Sequence, residues 1–256
     1  MNVCIDVGNT TIAVGFYEND TIIDRISTMT DSDKTEDEYA SALMNEMRIR
    51  GLKKESVETI ILSSVVPAVT RKLRDAINFV FNKQPMLIGP GTKTGLSIKV
   101  DNPSEIGNDL IADLVGAKEK YGFPCIIADL GTASKVLLLD KTGTFVSCLI
   151  VPGLSLSALS LSKKAALLPE ASLETPTTIL AKNTLTAMNA GIVYGHADMI
   201  IGLINRYEKE IGYPCKHILT GGGAMYIKDI VEKDFIYDPL INLNGLNNLI
   251  RRNIKL

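Results

Sequence analysis

Residues 1–25 read MNVCIDVGNTTIAVGFYENDTIIDR, and residues 126–145 read IIADLGTASKVLLLDKTGTF. Both run from an apolar strand into Asp-x-Gly, then hydroxyl-bearing residues, a second apolar strand and a turn. Asp6 matches Asp129, Gly8 matches Gly131 and Thr11 matches Ser134, each pair 123 residues apart. One Asp-x-Gly alone is ordinary turn chemistry. The whole order recurring at nearly half the chain length constrains the fold far more, because it implies two copies of one supersecondary unit and therefore two lobes.

The stretches between and after the copies read as helices and strands in alternation. TEDEYASALMNEMRIRGL has apolar residues at helical spacing, and Thr35 with Glu38 forms a capping-box pattern. VETIILSSVVPAVTRKLRDAINFVF is a buried strand followed, from Pro67, by an amphipathic helix. IGNDLIADLVGAKEKYG is helical and stops at Gly122, LTAMNAGIVYGHADMIIGLINRYEKEIG is a long helix, and HILTGGGAMYIKDIV is a strand, a glycine bend and a helix start. The expectation is an α/β protein with two duplicated lobes, residues 1–115 and 116–256. Each lobe should open with an antiparallel hairpin beside parallel strands.

Composition narrows the function. With 46% hydrophobic and 22% charged residues, the chain has ample material for a core. A formal net charge of −2 provides no field for nucleic acid or an anionic membrane. The basic pairs Lys53-Lys54, Lys163-Lys164 and Arg251-Arg252 read as solvated surface, and LIRRNIKL also as a C-terminal helix. Cys4, Cys125, Cys148 and Cys215 lack C-x-x-C spacing, and three lie in apolar, strand-like surroundings. His196 and His217 are too few and too far apart for a zinc site or a His-centred triad. No signal-peptide pattern precedes the first strand, so the setting expected is the cytoplasm.

The repeated cluster has a chemical reading. Glycine after a strand lets backbone N–H groups approach phosphate oxygens, and nearby hydroxyls add donors. A carboxylate at the strand end holds a cation that neutralises the same phosphates, directly or through water. Two such hairpins facing one another would clasp an Mg-nucleotide, and LTGGGA at residues 219–224 suits its other end. GxxxxGK[ST] and GxGxxG are absent, which removes P-loop and Rossmann readings.

DVGNT (6–10), DLGTAS (129–134) and TGGG (220–223) resemble the phosphate and adenosine motifs of the superfamily of acetate and sugar kinases, heat-shock chaperones and actin. Within it, three further segments are similar to those of type III pantothenate kinases: DNPSEIGNDL (101–110), PGLSLSALSLSKKAALLP (152–169) and NTLTAMNAGIVYG (183–195). The resemblance implies two ribonuclease-H-like (actin-like ATPase) lobes around a nucleotide cleft, and ATP-dependent phosphorylation of pantothenate, the first step of coenzyme A biosynthesis. It implies that Asp6, Gly8, Asn9, Thr10 and Thr11 contact ATP phosphates, with Asp6 on Mg, possibly through water. It further implies Asp109 as general base and Gly107, Asn108 and Thr184 as pantothenate contacts. Thr132, Gly221 and Gly222 would bind ATP, and Asp129 would bind a monovalent cation, K or NH4. A homodimer is implied too.

Five positions depart from that pattern. Val100 replaces a tyrosine, Leu110 an arginine, and Ser147-Cys148 a glycine pair. Lys135 stands where threonine is usual, and reads either as a substitute cation for phosphate or as a salt-bridged or surface lysine. The expected function is therefore pantothenate phosphorylation, the alternative a divergent or non-catalytic nucleotide-binding relative with a changed acceptor site.

Overall fold

A computed structural model describes residues 1–165, 167–169, 172–231 and 235–254. It divides into two compact units. The first comprises Met1–Gly95, Asn102–Glu119 and the chain from Ile241 onward, the second Leu96–Asp101 and Lys120–Leu240.

Unit one is built on strands β1 (Asn2–Val7), β2 (Thr11–Glu18), β3 (Thr21–Met29), β4 (Thr59–Ser64) and β5 (Met86–Leu87). Their order is β3-β2-β1-β4-β5. β1–β2 and β2–β3 are antiparallel, whereas β1–β4 and β4–β5 are parallel. Val3, Ile5 and Val7 alternate along β1 toward a core shared with α1 (Glu36–Ile49) and α2 (Pro67–Phe81). That core includes Phe16, Leu62, Tyr39, Met47, Val69 and Ile77. The Thr35–Glu38 capping box is formed, and Pro67 is the first residue of α2.

The C-terminal helix (Ile241–Asn253) packs against β1, β2 and β4. Tyr17 Oη donates to Asn244 Oδ1 at 2.9 Å, and Asn2 Nδ2 to Asn247 Oδ1 at 3.0 Å. The helix also crosses α3 (Asn108–Tyr121) so closely that only glycines fit. A Cβ placed on Gly245 would lie 1.9 Å from the Ala112 carbonyl oxygen, and one on Gly116 2.1 Å from that of Ile241. This long-range crossing carries the C-terminal helix into unit one. The units are thus not the contiguous halves 1–115 and 116–256. The last two residues of LIRRNIKL, Lys255 and Leu256, lie outside the described residues, as does Ala166 of the segment 152–169.

Unit two repeats the plan. Its strands are β6 (Ser97–Ile98), β7 (Cys125–Leu130), β8 (Ala133–Leu139), β9 (Thr144–Pro152), β10 (Lys216–Thr220) and β11 (Phe235–Tyr237). Their order is β11-β10-β7-β8-β9-β6. β7–β8 and β8–β9 are antiparallel, β7–β10 and β10–β11 parallel. β7 through β11 therefore reproduce β1 through β5 in order and direction, with β6 added outside β9. The duplication read at the 123-residue offset is real at the level of sheet topology.

Helices α4 (Leu154–Lys164) and α5 (Thr184–Ile211) cover this second core, with the short α6 (Ala224–Ile227). Among the described residues, α5 alone is long and apolar enough to cross a membrane, by length and composition. Val193, Ala197, Ile200 and Ile204 instead bury its apolar face in the unit's own core. On the same helix, buried His196 shares a 2.9 Å hydrogen bond with the Ser134 hydroxyl, and burial pushes its imidazole below the usual value.

The α3 crossing gives a stability prediction. Alanine normally stabilises a helix interior by about 1 kcal/mol relative to glycine. Gly245→Ala should instead destabilise by roughly 1–3 kcal/mol, because a methyl group must displace backbone rather than a yielding side chain. Denaturant unfolding measures the sign; a stabilised variant would contradict the crossing.

Candidate active site

In unit one, β1 and β4 run parallel in a register that sets Asp6 beside Ser63 and Val7 beside Ser64. Their carboxyl ends consequently open along one edge. Asp6 Oδ1 accepts a 2.7 Å hydrogen bond from the hydroxyl of Ser63, which is fully buried. That bond fixes one carboxylate oxygen and the rotamer with it. The bend after β1 closes through Gly8 N–H donating to Thr11 O at 3.0 Å. Thr30 braces it twice, its hydroxyl donating to Gly8 O at 2.7 Å and its N–H to Thr10 O at 2.9 Å. Asn9, Thr10 and Thr11 are exposed on this anchored bend.

The segment 107–109 reaches the same edge. Asn108 Nδ2 lies 3.5 Å from Ser64 O, so the start of α3 is set beside the end of β4. Asp109, in the first turn of α3, folds its carboxylate back over Gly107: a Cβ there would sit 2.4 Å from Asp109 Oδ1. Asn242 of the C-terminal helix donates to the Asp109 carbonyl at 3.2 Å and to buried Asp113 at 3.0 Å. Thus Asp6, the 8–11 bend, Gly107, Asn108 and Asp109 belong to one unit, and β4 links the Asp6 bend to the start of α3. Leu110 is 8% exposed, part of the core rather than the surface where a guanidinium would work.

Unit two builds its own version around Asp129, at the end of β7 beside Thr220 of β10. Its bend is pressed by glycine backbone from two sides. Gly153 N–H donates to Thr132 O at 3.0 Å and Gly223 N–H to Leu130 O at 2.7 Å. A Cβ on Gly153 would fall 2.2 Å from Gly131 O. Gly221 adopts φ +84°, open to glycine at little cost, and a Cβ there would lie 2.5 Å from Asp129 Oδ1. Thr132 and Gly222 are exposed at this edge, and Thr184 is the exposed first residue of α5.

Asp129 also meets a side chain. Lys135 Nζ lies 2.8 Å from Asp129 Oδ2, with both side chains largely withdrawn from solvent. Of the two readings of Lys135, the structure shows the ion pair. The Ser147–Cys148 pair is accommodated locally: the Ser147 hydroxyl hydrogen-bonds Tyr207 Oη at 2.8 Å, and Cys148 Sγ donates to Leu149 O at 3.7 Å.

Sequence reasoning missed Ser63, Thr30 and Asn242. Ser63 had a signal, two hydroxyls closing the otherwise apolar strand TIILSS. Thr30 and Asn242 meet the site only through long-range packing. Among the described residues no three His, Cys, Asp or Glu side chains cluster to hold a metal. Burial pushes the Cys125 thiol to about 12 and that of Cys215 to about 11, which leaves no activated thiolate at either.

The family model of type III pantothenate kinase matches residues 2–206. Type III pantothenate kinase of Exiguobacterium sp. (strain ATCC BAA-1283 / AT1b) is 39% identical over 255 residues, spanning 100% of both chains. That of Listeria monocytogenes serovar 1/2a is 37% identical, over 99% of this chain and 98% of the relative. Component A of (R)-2-hydroxyglutaryl-CoA dehydratase from Acidaminococcus fermentans superposes with a TM-score of 0.55 at 15% identity, covering 97% of this chain and 95% of that one. The ADPNP-bound activator of 2-hydroxyisocaproyl-CoA dehydratase from Clostridium difficile gives 0.52 at 13% identity, over 97% and 92%. These distant structures show the fold, that of actin-like ATPases and sugar kinases. With its family model matched and full-length relatives above 35% identity, the chain belongs to the type III pantothenate kinase family.

Proposed function

We infer that this chain transfers the γ-phosphoryl group of ATP to the primary hydroxyl of pantothenate, the first step of coenzyme A biosynthesis. The observation that carries the reading is full-length identity of 39% to a type III pantothenate kinase, with a braced carboxylate bend in each unit.

Phosphoryl transfer asks a protein for positioning and charge more than for covalent chemistry. The anchored 8–11 bend presents backbone and hydroxyl donors to phosphate oxygens. Asp6 is the residue to hold Mg, directly or through water. A single carboxylate suits that ion, which keeps several waters and takes its remaining ligands from phosphates. When bound, Mg neutralises charge on the phosphates. Thr132, Gly221 and Gly222 offer ATP a hydroxyl and open backbone. Gly107, Asn108 and Thr184 take pantothenate.

Asp109 takes the proton from the attacking hydroxyl. Its carboxylate lies over Gly107, in space that a side chain at 107 would take, and Asn242 holds its backbone. Asp109→Asn keeps the volume and removes the base. Turnover should fall roughly 100-fold or more while ATP affinity stays near the parent's. The check is ADP release against a panel of alcohol acceptors including pantothenate, with ATP affinity measured alongside. Pantothenate-dependent turnover surviving in Asp109→Asn would remove the assigned base. ATP binding without turnover of any acceptor by the parent would favour the nucleotide-binding alternative, in keeping with buried Leu110.

We place the protein in the cytoplasm as a homodimer. Four free cysteines suit a reducing compartment. For the dimer, support comes from unit two, where Ile150 of β9, Leu156 and Leu159 of α4, and Leu185 of α5 are exposed. Several large apolar side chains exposed on neighbouring elements are characteristic of an association surface. Leu159→Asp should convert a dimer into a monomer in light scattering coupled to size exclusion, with its circular dichroism unchanged. A monomeric parent would contradict the proposal.

A further inference from the structure

Family resemblance assigns a monovalent cation, potassium or ammonium, to Asp129. The residues here do not fit one. β7 and β8 pair antiparallel with Asp129 directly opposite Lys135, so the two side chains leave the sheet on the same face. Lys135 Nζ lies 2.8 Å from Asp129 Oδ2, the length of a charge-assisted hydrogen bond. The lysine side chain is 19% exposed and the aspartate 13%, so little water is at hand to screen a second positive charge. A potassium ion on that carboxylate would meet the ammonium as a like charge in a partly desolvated position.

The position of the ammonium matters as much as its presence. A Cβ built on Gly131 would be 4.0 Å from both Lys135 Nζ and Asp129 Oδ2. The ion pair therefore sits against the glycine of the bend, one residue from Thr132. The pairing is particular to unit two: the residue opposite Asp6 is Ala13. A lysine head group is itself a substituted ammonium, a compact unit charge with three donors. It matches in charge and donor chemistry one of the two ions that the resemblance assigns to Asp129.

We propose that Lys135 is a tethered replacement for the monovalent cation at Asp129, so that phosphoryl transfer by this chain requires neither potassium nor ammonium. Lys135 is then a positioning residue. It holds the Asp129 carboxylate and keeps a fixed positive charge beside the Gly131–Thr132 bend, where exchangeable ions serve otherwise.

This inference rests on the kinase reading, and the test separates the two. The purified full-length chain is assayed with Mg-ATP and pantothenate in sodium, potassium and ammonium chloride at equal ionic strength. The same preparation is titrated with thallium(I), followed by thallium NMR. Equal rates in all three salts and no thallium binding are expected of the parent. Lys135→Thr should lose roughly 100-fold in sodium, recover in potassium or ammonium, and bind thallium displaceable by potassium. Potassium activation of the parent, or thallium binding to it, overturns the replacement. If pantothenate is not turned over in any salt, the thallium contrast between parent and variant still decides the replacement while the kinase reading falls. Should Lys135→Thr fail to fold by circular dichroism, Lys135→Gln takes its place, and the parent measurements stand alone.

Discussion

Each unit depends on a carboxylate held at the end of a central strand where the sheet changes pairing sense. β1 and β7 each have an antiparallel neighbour on one side and a parallel neighbour on the other. The antiparallel side brings the chain straight back through a short glycine bend. The parallel side brings a second strand end to the same edge. Strand order also reverses at β1 and β7, and in open α/β sheets the carboxyl ends of strands at such a reversal are where ligands bind. A charge at such a place is costly unless partnered, and the two units partner theirs differently. Asp6 takes a buried hydroxyl from the parallel neighbour, whereas Asp129 takes an ammonium from the antiparallel one.

That difference suits the two chemical tasks proposed for the duplicated carboxylates. The Ser63 hydroxyl orients Asp6 without cancelling its charge, which suits the magnesium role proposed for it. Lys135 balances the Asp129 charge and sets its ammonium beside a bend already crowded by the backbones of Gly153 and Gly221. Backbone approach of this kind is rigid, since a side chain at either glycine would strike main-chain or carboxylate atoms. A rigid bend suits phosphate recognition, where donors must wait in place before charge develops.

Much of this was legible in the sequence, and the limits have physical causes. The 123-residue offset foretold two sheets of one topology, because the strand–bend–strand pattern is local. The second bend is one residue shorter, with β7 ending at Leu130 and β8 starting at Ala133, against Val7 and Thr11 in the first. Straight alignment at that offset therefore matches Lys135 to Ile12, while strand register sets it opposite Asp129. Division of the chain was harder still. The C-terminal helix joins unit one through Gly116 and Gly245, more than a hundred residues apart, and no local pattern announces such a crossing. Thr30 and Asn242 escaped for the same reason: each acts on the site from a neighbouring element.

The reading stands or falls on the first carboxylate bend being a phosphate and metal site rather than a turn. Calorimetric titration of Mg-ATP into the parent and Asp6→Asn, with thermal unfolding of each, tests it most directly. The substitution removes charge at nearly constant volume and keeps an oxygen for Ser63. Loss of one charge-assisted interaction should weaken Mg-ATP binding by about 1.5–3 kcal/mol while the unfolding temperature changes little. Equal affinity in the two proteins, or a loss of folding without a loss of affinity, would make Asp6 a turn residue and contradict the account.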